Sequence, residues 1–164
     1  MIDILSTVIL ALGFADDLRS RKIHNVLVIA LFVASLLIIF ALRGLNGVGY
    51  GLFCALIAAA LCWPLVFIKA LGAGDMKLFA VFGFTSDFSA VINVYLYSLI
   101  AGAGIGLVRA AVGGELKTVI KSTAAIATNR DAKPLEIFHI PYSAALLFGW
   151  LIHLAMVQGG AEWF

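Results

Sequence analysis

Residues 23–68 read IHNVLVIALFVASLLIIFALRGLNGVGYGLFCALIAAALCWPLVFI, and the only Asp, Glu, Lys or Arg in that run is Arg43. A bilayer core is crossed by about 20 consecutive apolar residues in a helix. Ile23 to Leu42 and Gly44 to Ile68 each meet that length, with Arg43 and a Gly/Asn-rich turn between them, and Gly47, Gly49 and Gly51 read as the turn entering the second span. The rest of the chain follows the same pattern. Of 164 residues, 63% are hydrophobic and 12% charged, with mean hydropathy +1.11, whereas soluble domains carry about 25% charged residues. A soluble globular protein is excluded. The formal charge of +2 is too small an excess to suggest a nucleic-acid partner, so the position of each charge matters more than their sum.

Outward from that run, residues 4–15 are apolar and end in Asp16, Asp17, Arg19, Arg21 and Lys22. We take them as a first span, because a signal peptide would carry basic residues where this chain has Asp3. Gly72, Gly74 and Asp75 mark a break after Lys69, and a fourth helix starts near Asp75 and runs to about Phe84, short for a full crossing. Phe88 to Val108 is a fifth span and Ile140 to Val157 a sixth, with Pro141 suited to a first helical turn. The expectation is an all-α, polytopic integral membrane protein of about six transmembrane helices, forming one domain over residues 1–164. A polar cytoplasmic connector falls at about 110–138, and a stripe at 115–128 (Leu116, Val119, Ile120, Thr123, Ala124, Ala127) reads either as a helix lying on the membrane surface or as a joining loop. With the N-terminus outside, ten of the eleven basic residues lie on the cytoplasmic side and only Arg43 outside, as the positive-inside rule requires.

Under that topology Asp17 closes the first span and Asp75 opens the fourth, so two carboxylates distant in sequence reach the same membrane face. Each has a plain reading: Asp17 pairs with Arg21 one turn on, and Asp75 caps a helix after a Gly-rich turn. Ionisable groups at the edge of hydrocarbon are costly, and a pair of them points to function. Two facing carboxylates that share a proton can hydrolyse an amide without a metal or a nucleophilic side chain. Gly72 and Gly74, lacking Cβ, would let a substrate backbone approach Asp75.

Asp17-Leu-Arg-Ser-Arg-Lys-Ile-His-Asn25, followed by Gly72-Ala-Gly-Asp-Met-Lys-Leu78, resembles the type IV prepilin peptidases. These are membrane aspartic proteases with one acid in a D-x-x-x-x-x-I-P-N segment and the other in a GxGD motif. Ile140-Pro-Tyr-Ser-Ala-Ala-Leu-Leu-Phe-Gly149 resembles that family's last helix, and the short forms that process Flp/Tad pilins are the nearest type. The resemblance implies Asp17 and Asp75 as catalytic acids, with Gly72, Gly74, Lys77 and Asn25 shaping the site and its substrate contacts. Asp16 is the adjacent competitor, set aside because Asp17 alone has the spacing to Ile23 and Asn25. His24 stands where the family usually has proline. The implied substrate is a prepilin with a short basic leader and a hydrophobic helix, cleaved at the cytoplasmic face of the inner membrane. The implied partners are that precursor and the lipid bilayer, with no cofactor and no metal. The cysteine-rich zinc domain of longer relatives, associated with N-methylation, is not expected here.

Two other classes compete. Val48-Gly-Tyr-Gly51 resembles a potassium-channel filter, although Gly47 replaces the usual threonine and no pore helix precedes it. A carboxylate-dependent carrier would also place acids in the membrane. Cys54 and Cys62 have no metal-binding spacing and read as packing residues, as do Gly102 and Gly106. His139 and His153 read as structural, and Trp63, Trp150 and Trp163 as packing or interface anchors.

Overall fold

The computed structural model describes residues 2–20, 22–68, 71–112 and 142–160. They form five helices: α1 (Ile2–Ser20), α2 (Asn25–Phe67), α3 (Ala73–Thr85), α4 (Phe88–Val112) and α5 (Tyr142–Gln158). No strand occurs among the described residues. The connector beyond residue 112 with its 115–128 stripe, and Arg21, Lys69, His139, Pro141 and Trp163, lie outside them. α2, and α4 over Phe88–Val108, are long and apolar enough to cross a membrane; α5 is apolar but shorter.

The two spans expected within 23–68 are continuous in helical assignment, broken only at Gly44, whose φ of 64° and ψ of −160° no helix accommodates. Only glycine takes such a conformation at no steric cost. Phe84 shows how far the chain turns there. Its ring lies 5.2 Å from that of Phe32, and it also packs against Gly51, where a Cβ would stand 3.0 Å from a Phe84 ring carbon. In one straight helix, residues 32 and 51 would be about 28 Å apart. The halves therefore fold back on each other, and both flank α3: Asn25 and Phe32 meet Lys77 and Phe84 in parallel order, while Gly51 and Ala58 meet Phe84 and Gly83 in antiparallel order. The expected turn at Gly47, Gly49 and Gly51 is corrected, since all three are helical. Gly51 is small because α3 passes close to it: a Cβ there would lie 2.5 Å from the Phe84 carbonyl oxygen.

α3 is the short central helix. Leu78, Phe79, Val81, Phe82, Phe84 and Thr85 are buried on every side of it, which explains why so brief an element carries so many aromatics. Phe79 stacks on Phe82 at 5.6 Å, and Phe82 meets the Trp150 indole edge-on at 5.1 Å. α1 runs antiparallel to α3. Ser6 hydrogen-bonds Thr85 at 2.9 Å at one end, Gly13 packs on Leu78 midway, and Asp17 lies near Asp75 at the other end. α5 runs antiparallel to α1, with Ser143 on Asp17 and the Trp150 indole N–H donating to Thr7 at 2.8 Å. It is antiparallel to α4 as well, which Gly149 approaches so closely that a Cβ would lie 2.8 Å from the Ser98 nitrogen. Small residues at such crossings let membrane helices gain van der Waals contact where no hydrophobic drive operates between them. Gly102, facing Ala145, acts in the same way.

The outward surface is apolar: Val26 and Leu45 are 78% exposed and Phe67 is 81% exposed. Leaving one such side chain in water forgoes about 1.5–3 kcal/mol, and a surface this continuous is the kind a bilayer covers. Cys54 and Cys62 are free and buried in the helix packing, and His153 stacks on Trp150.

Candidate active site

One end of the bundle gathers the end of α1, both ends of α2, and the starts of α3 and α5. Asp17 is carried there by the last turns of α1 and is 9% exposed. Its Oδ2 accepts a 2.5 Å hydrogen bond from Ser143 Oγ, in the first turn of α5. Asp75 lies in the first turn of α3, three residues after the N-cap Gly72. The backbone N–H groups of Gly72 and Ser143 and the charge of Asp17 lie close enough to act electrostatically on its carboxylate. Asp75 stands at the third helical position, where an acidic side chain faces the cap residue. Its Oδ1 is buried without a hydrogen-bond partner among the described residues, and such an atom loses its solvation uncompensated.

A Cβ on Gly72 would lie 2.9 Å from Asp75 Oδ2, and one on Gly74 would lie 3.1 Å from Ile23 Cβ, so α3 starts hard against the α1–α2 linker. Lys77 Nζ donates to Asn25 Oδ1 at 2.8 Å, tying the two further motif residues together and not to either acid. Among the described residues neither Asp17 nor Asp75 forms an ion pair; the expected partner Arg21 lies outside them.

Asp16 and Asp17 part company because neighbours on a helix point about 100° apart. Asp17 turns inward. Asp16 turns to the linker, where it accepts the His24 backbone N–H at 2.9 Å and lies 3.0 Å from His24 Nδ1. Proline has no N–H to give, so histidine at this position makes a linker bond that proline cannot. Asp16→Asn keeps an acceptor for that N–H and is expected to retain at least about half of the wild-type activity, since one exposed neutral-for-charged hydrogen bond is worth about 1 kcal/mol of local stability. Initial cleavage rates at matched enzyme abundance check this.

Ser143 is the site residue that the motifs did not single out. It lies within the Ile140–Gly149 segment, but a serine in an apolar helix has no signature of its own. Its role emerges only when α5 is folded against α1 and α3.

Residues 4–107, from α1 through most of α4, match the type IV leader peptidase family. The chain belongs to the type IV leader peptidase family. No curated protein and no solved structure matches it. The match covers Asp17, Asn25, Gly72, Gly74, Asp75 and Lys77, and ends before α5. A type IV leader peptidase is a membrane-associated hydrolase of leader peptides, and the chemistry to be explained is therefore amide hydrolysis. The channel reading also fails on the fold of this peptidase: Val48, Gly49, Tyr50 and Gly51 are helical. Helical carbonyls are committed to N–H groups four residues on and are not free to line a filter.

Proposed function

We propose that this chain is a membrane-embedded aspartic endopeptidase that removes the leader of type IV, Flp-like prepilins at the cytoplasmic face of the inner membrane. Asp17 and Asp75 are its catalytic acids. The observation that carries the proposal is the convergence of two carboxylates, 58 residues apart in sequence, at one end of a helical bundle, where Ser143 bonds Asp17 and Asp75 lies within the electrostatic reach of Asp17. Like-charged carboxylates held close in a desolvated site favour a state with a single proton between them. In that state the ionised acid takes a proton from water as the water oxygen attacks the scissile carbonyl carbon. The protonated acid hydrogen-bonds the carbonyl oxygen and transfers its proton there, giving a neutral gem-diol. Breakdown returns a hydroxyl proton to one carboxylate while the other acid protonates the leaving nitrogen, and the C–N bond breaks. Gly72 leaves room for the substrate backbone beside Asp75, Gly74 seats the start of α3 against Ile23, and Lys77 with Asn25 shapes the substrate contacts.

The cytoplasmic assignment rests on charge. Arg19, Lys22 and Lys77 belong to the same end of the bundle as the two acids, and Arg43 adjoins Gly44 at the opposite end. Six crossings follow if the halves of α2 count separately, with α1, α3, α4 and α5 as the other four and the N-terminus outside.

The test has two arms. A co-expressed Flp-type prepilin should lose its leader in the presence of the wild-type chain and keep it in its absence, read as a mass shift of the pilin. In a Cys54→Ala, Cys62→Ala background, Lys22→Cys should react with an impermeant thiol reagent only from the cytoplasmic side and Arg43→Cys only from the outside. The reverse labelling pattern overturns the cleavage side, and an unprocessed precursor overturns the substrate class.

A further inference from the structure

We propose that Ser143 is a positioning residue of the active site: its hydroxyl bonds Asp17 and holds that acid at a working separation from Asp75, beside which the Ser143 backbone lies. This rests on the reading of the two acids as catalytic. Three features carry it.

The first is connectivity. Ser143 stands between the two acids: Oγ donates to Asp17 Oδ2, and its backbone N–H lies near enough to Asp75 to act electrostatically on it. The N–H is available because Ser143 lies in the first turn of α5, where backbone donors have no carbonyl four residues back to bond.

The second is the chemistry of each link. A backbone N–H can only donate, and the place of this one beside Asp75 is set by α5. A hydroxyl donates to a carboxylate and accepts from a carboxylic acid. The Ser143–Asp17 link therefore survives whether or not Asp17 holds a proton, which a residue supporting a proton-shuttling acid must achieve. Alanine loses this link, and threonine keeps it.

The third is rigidity. Ser143 is fully buried, and α5 is fastened beyond it at two places: Gly149 lies in close contact with α4, and the Trp150 indole donates to Thr7 of α1. Asp17 and Thr7 belong to the same helix. Ser143 and Trp150 thus pin the first half of α5 to α1 at two points, and Asp17 cannot drift from α5 without breaking the bond to Ser143. Catalytic side chains must be held to within about 0.5 Å of productive geometry by neighbours that are themselves locked.

The experiment compares Ser143→Ala, Ser143→Thr and Ser143→Cys with wild type in membranes, measuring kcat and KM on a prepilin together with enzyme abundance and thermal unfolding. Removing a supporting partner of this kind costs roughly 10- to 100-fold in activity at metal centres, and a similar loss is expected here. Ser143→Ala should lower kcat about tenfold or more and leave KM within about twofold, the pattern of a lost transition-state interaction. Unfolding temperature and abundance should stay near wild type. Ser143→Thr should recover most of the rate, and Ser143→Cys, close to serine in volume but a weak donor, should fall between threonine and alanine. Wild-type kcat in Ser143→Ala overturns the proposal, as does a loss confined to KM or one that tracks lost stability. Equal losses in Ser143→Ala and Ser143→Cys, with no recovery in Ser143→Thr, assign the effect to packing and also overturn it. Failure of the underlying reading would look different: Asp17→Asn or Asp75→Asn would then retain cleavage whatever stands at position 143.

Discussion

Asp17→Asn and Asp75→Asn are each expected to lower prepilin cleavage by about 10²–10⁴-fold, the range that general acid–base catalysis supplies, with little effect on folding. Asparagine keeps the size of aspartate and an oxygen that accepts hydrogen bonds. In the first variant the amide oxygen can still accept the Ser143 hydroxyl, and in the second it still presents an oxygen to the neighbouring N–H groups of Gly72 and Ser143. What each substitution removes is the proton-carrying function. With one amide, the pair can no longer alternate between base and acid, and neither the activation of water nor the protonation of the leaving nitrogen is complete. The readout is conversion of a pilin precursor in membranes, with abundance of each variant measured in parallel. Full processing by either variant would sink the two-carboxylate mechanism. Loss in Asp16→Asn and Asp75→Asn, with Asp17→Asn active, would keep the mechanism and transfer the first acid to the neighbouring residue.

Gly83→Leu is expected to have the largest effect on the fold. A Cβ at Gly83 would lie 2.9 Å from both Ala58 Cβ and the Cys54 carbonyl oxygen. The second contact is with backbone, which cannot rotate aside as a side chain does. Accommodating leucine requires the second half of α2 to move off α3, and even moderate overpacking of a tight core costs about 1–3 kcal/mol. Total stabilities are only about 5–15 kcal/mol. The variant should accumulate poorly and unfold at markedly lower temperature. Gly104→Leu is the matched control, because nothing lies within 4 Å of a Cβ there and the position is exposed. Leucine is also a better helix former than glycine by up to about 1 kcal/mol, so this variant should be as stable as wild type. Similar losses in both variants would show that leucine is disfavoured for reasons other than the α2–α3 contact. Retention of both would show that the contact is looser than the helix crossing implies.

Much of the architecture was legible before folding because bilayer solvation acts residue by residue. Apolar runs bounded by charges must become helices in hydrocarbon, and the bounds of α3, from Ala73 to Thr85, follow the glycine break and the Thr-Ser-Asp interruption. The motif spacing likewise named Asp17, Asp75, Gly72 and Gly74 as a set without reference to three-dimensional position. Other features depended on contacts between distant segments. Gly44, Gly47, Gly49 and Gly51 are alike as letters, and only packing distinguishes them: the chain reverses at Gly44, where nothing crowds the residue, while Gly51 stays helical so that Phe84 can approach. α3 looks too short for a span until its neighbours show it to be the buried centre of the bundle. Asp16 and Asp17 differ in environment because one faces His24 and the other faces α5. Ser143 carries no local signal at all. Its bond to Asp17 and its place beside Asp75 arise from helices separated by more than 60 residues in sequence, and contacts between such partners are a property of the assembled bundle.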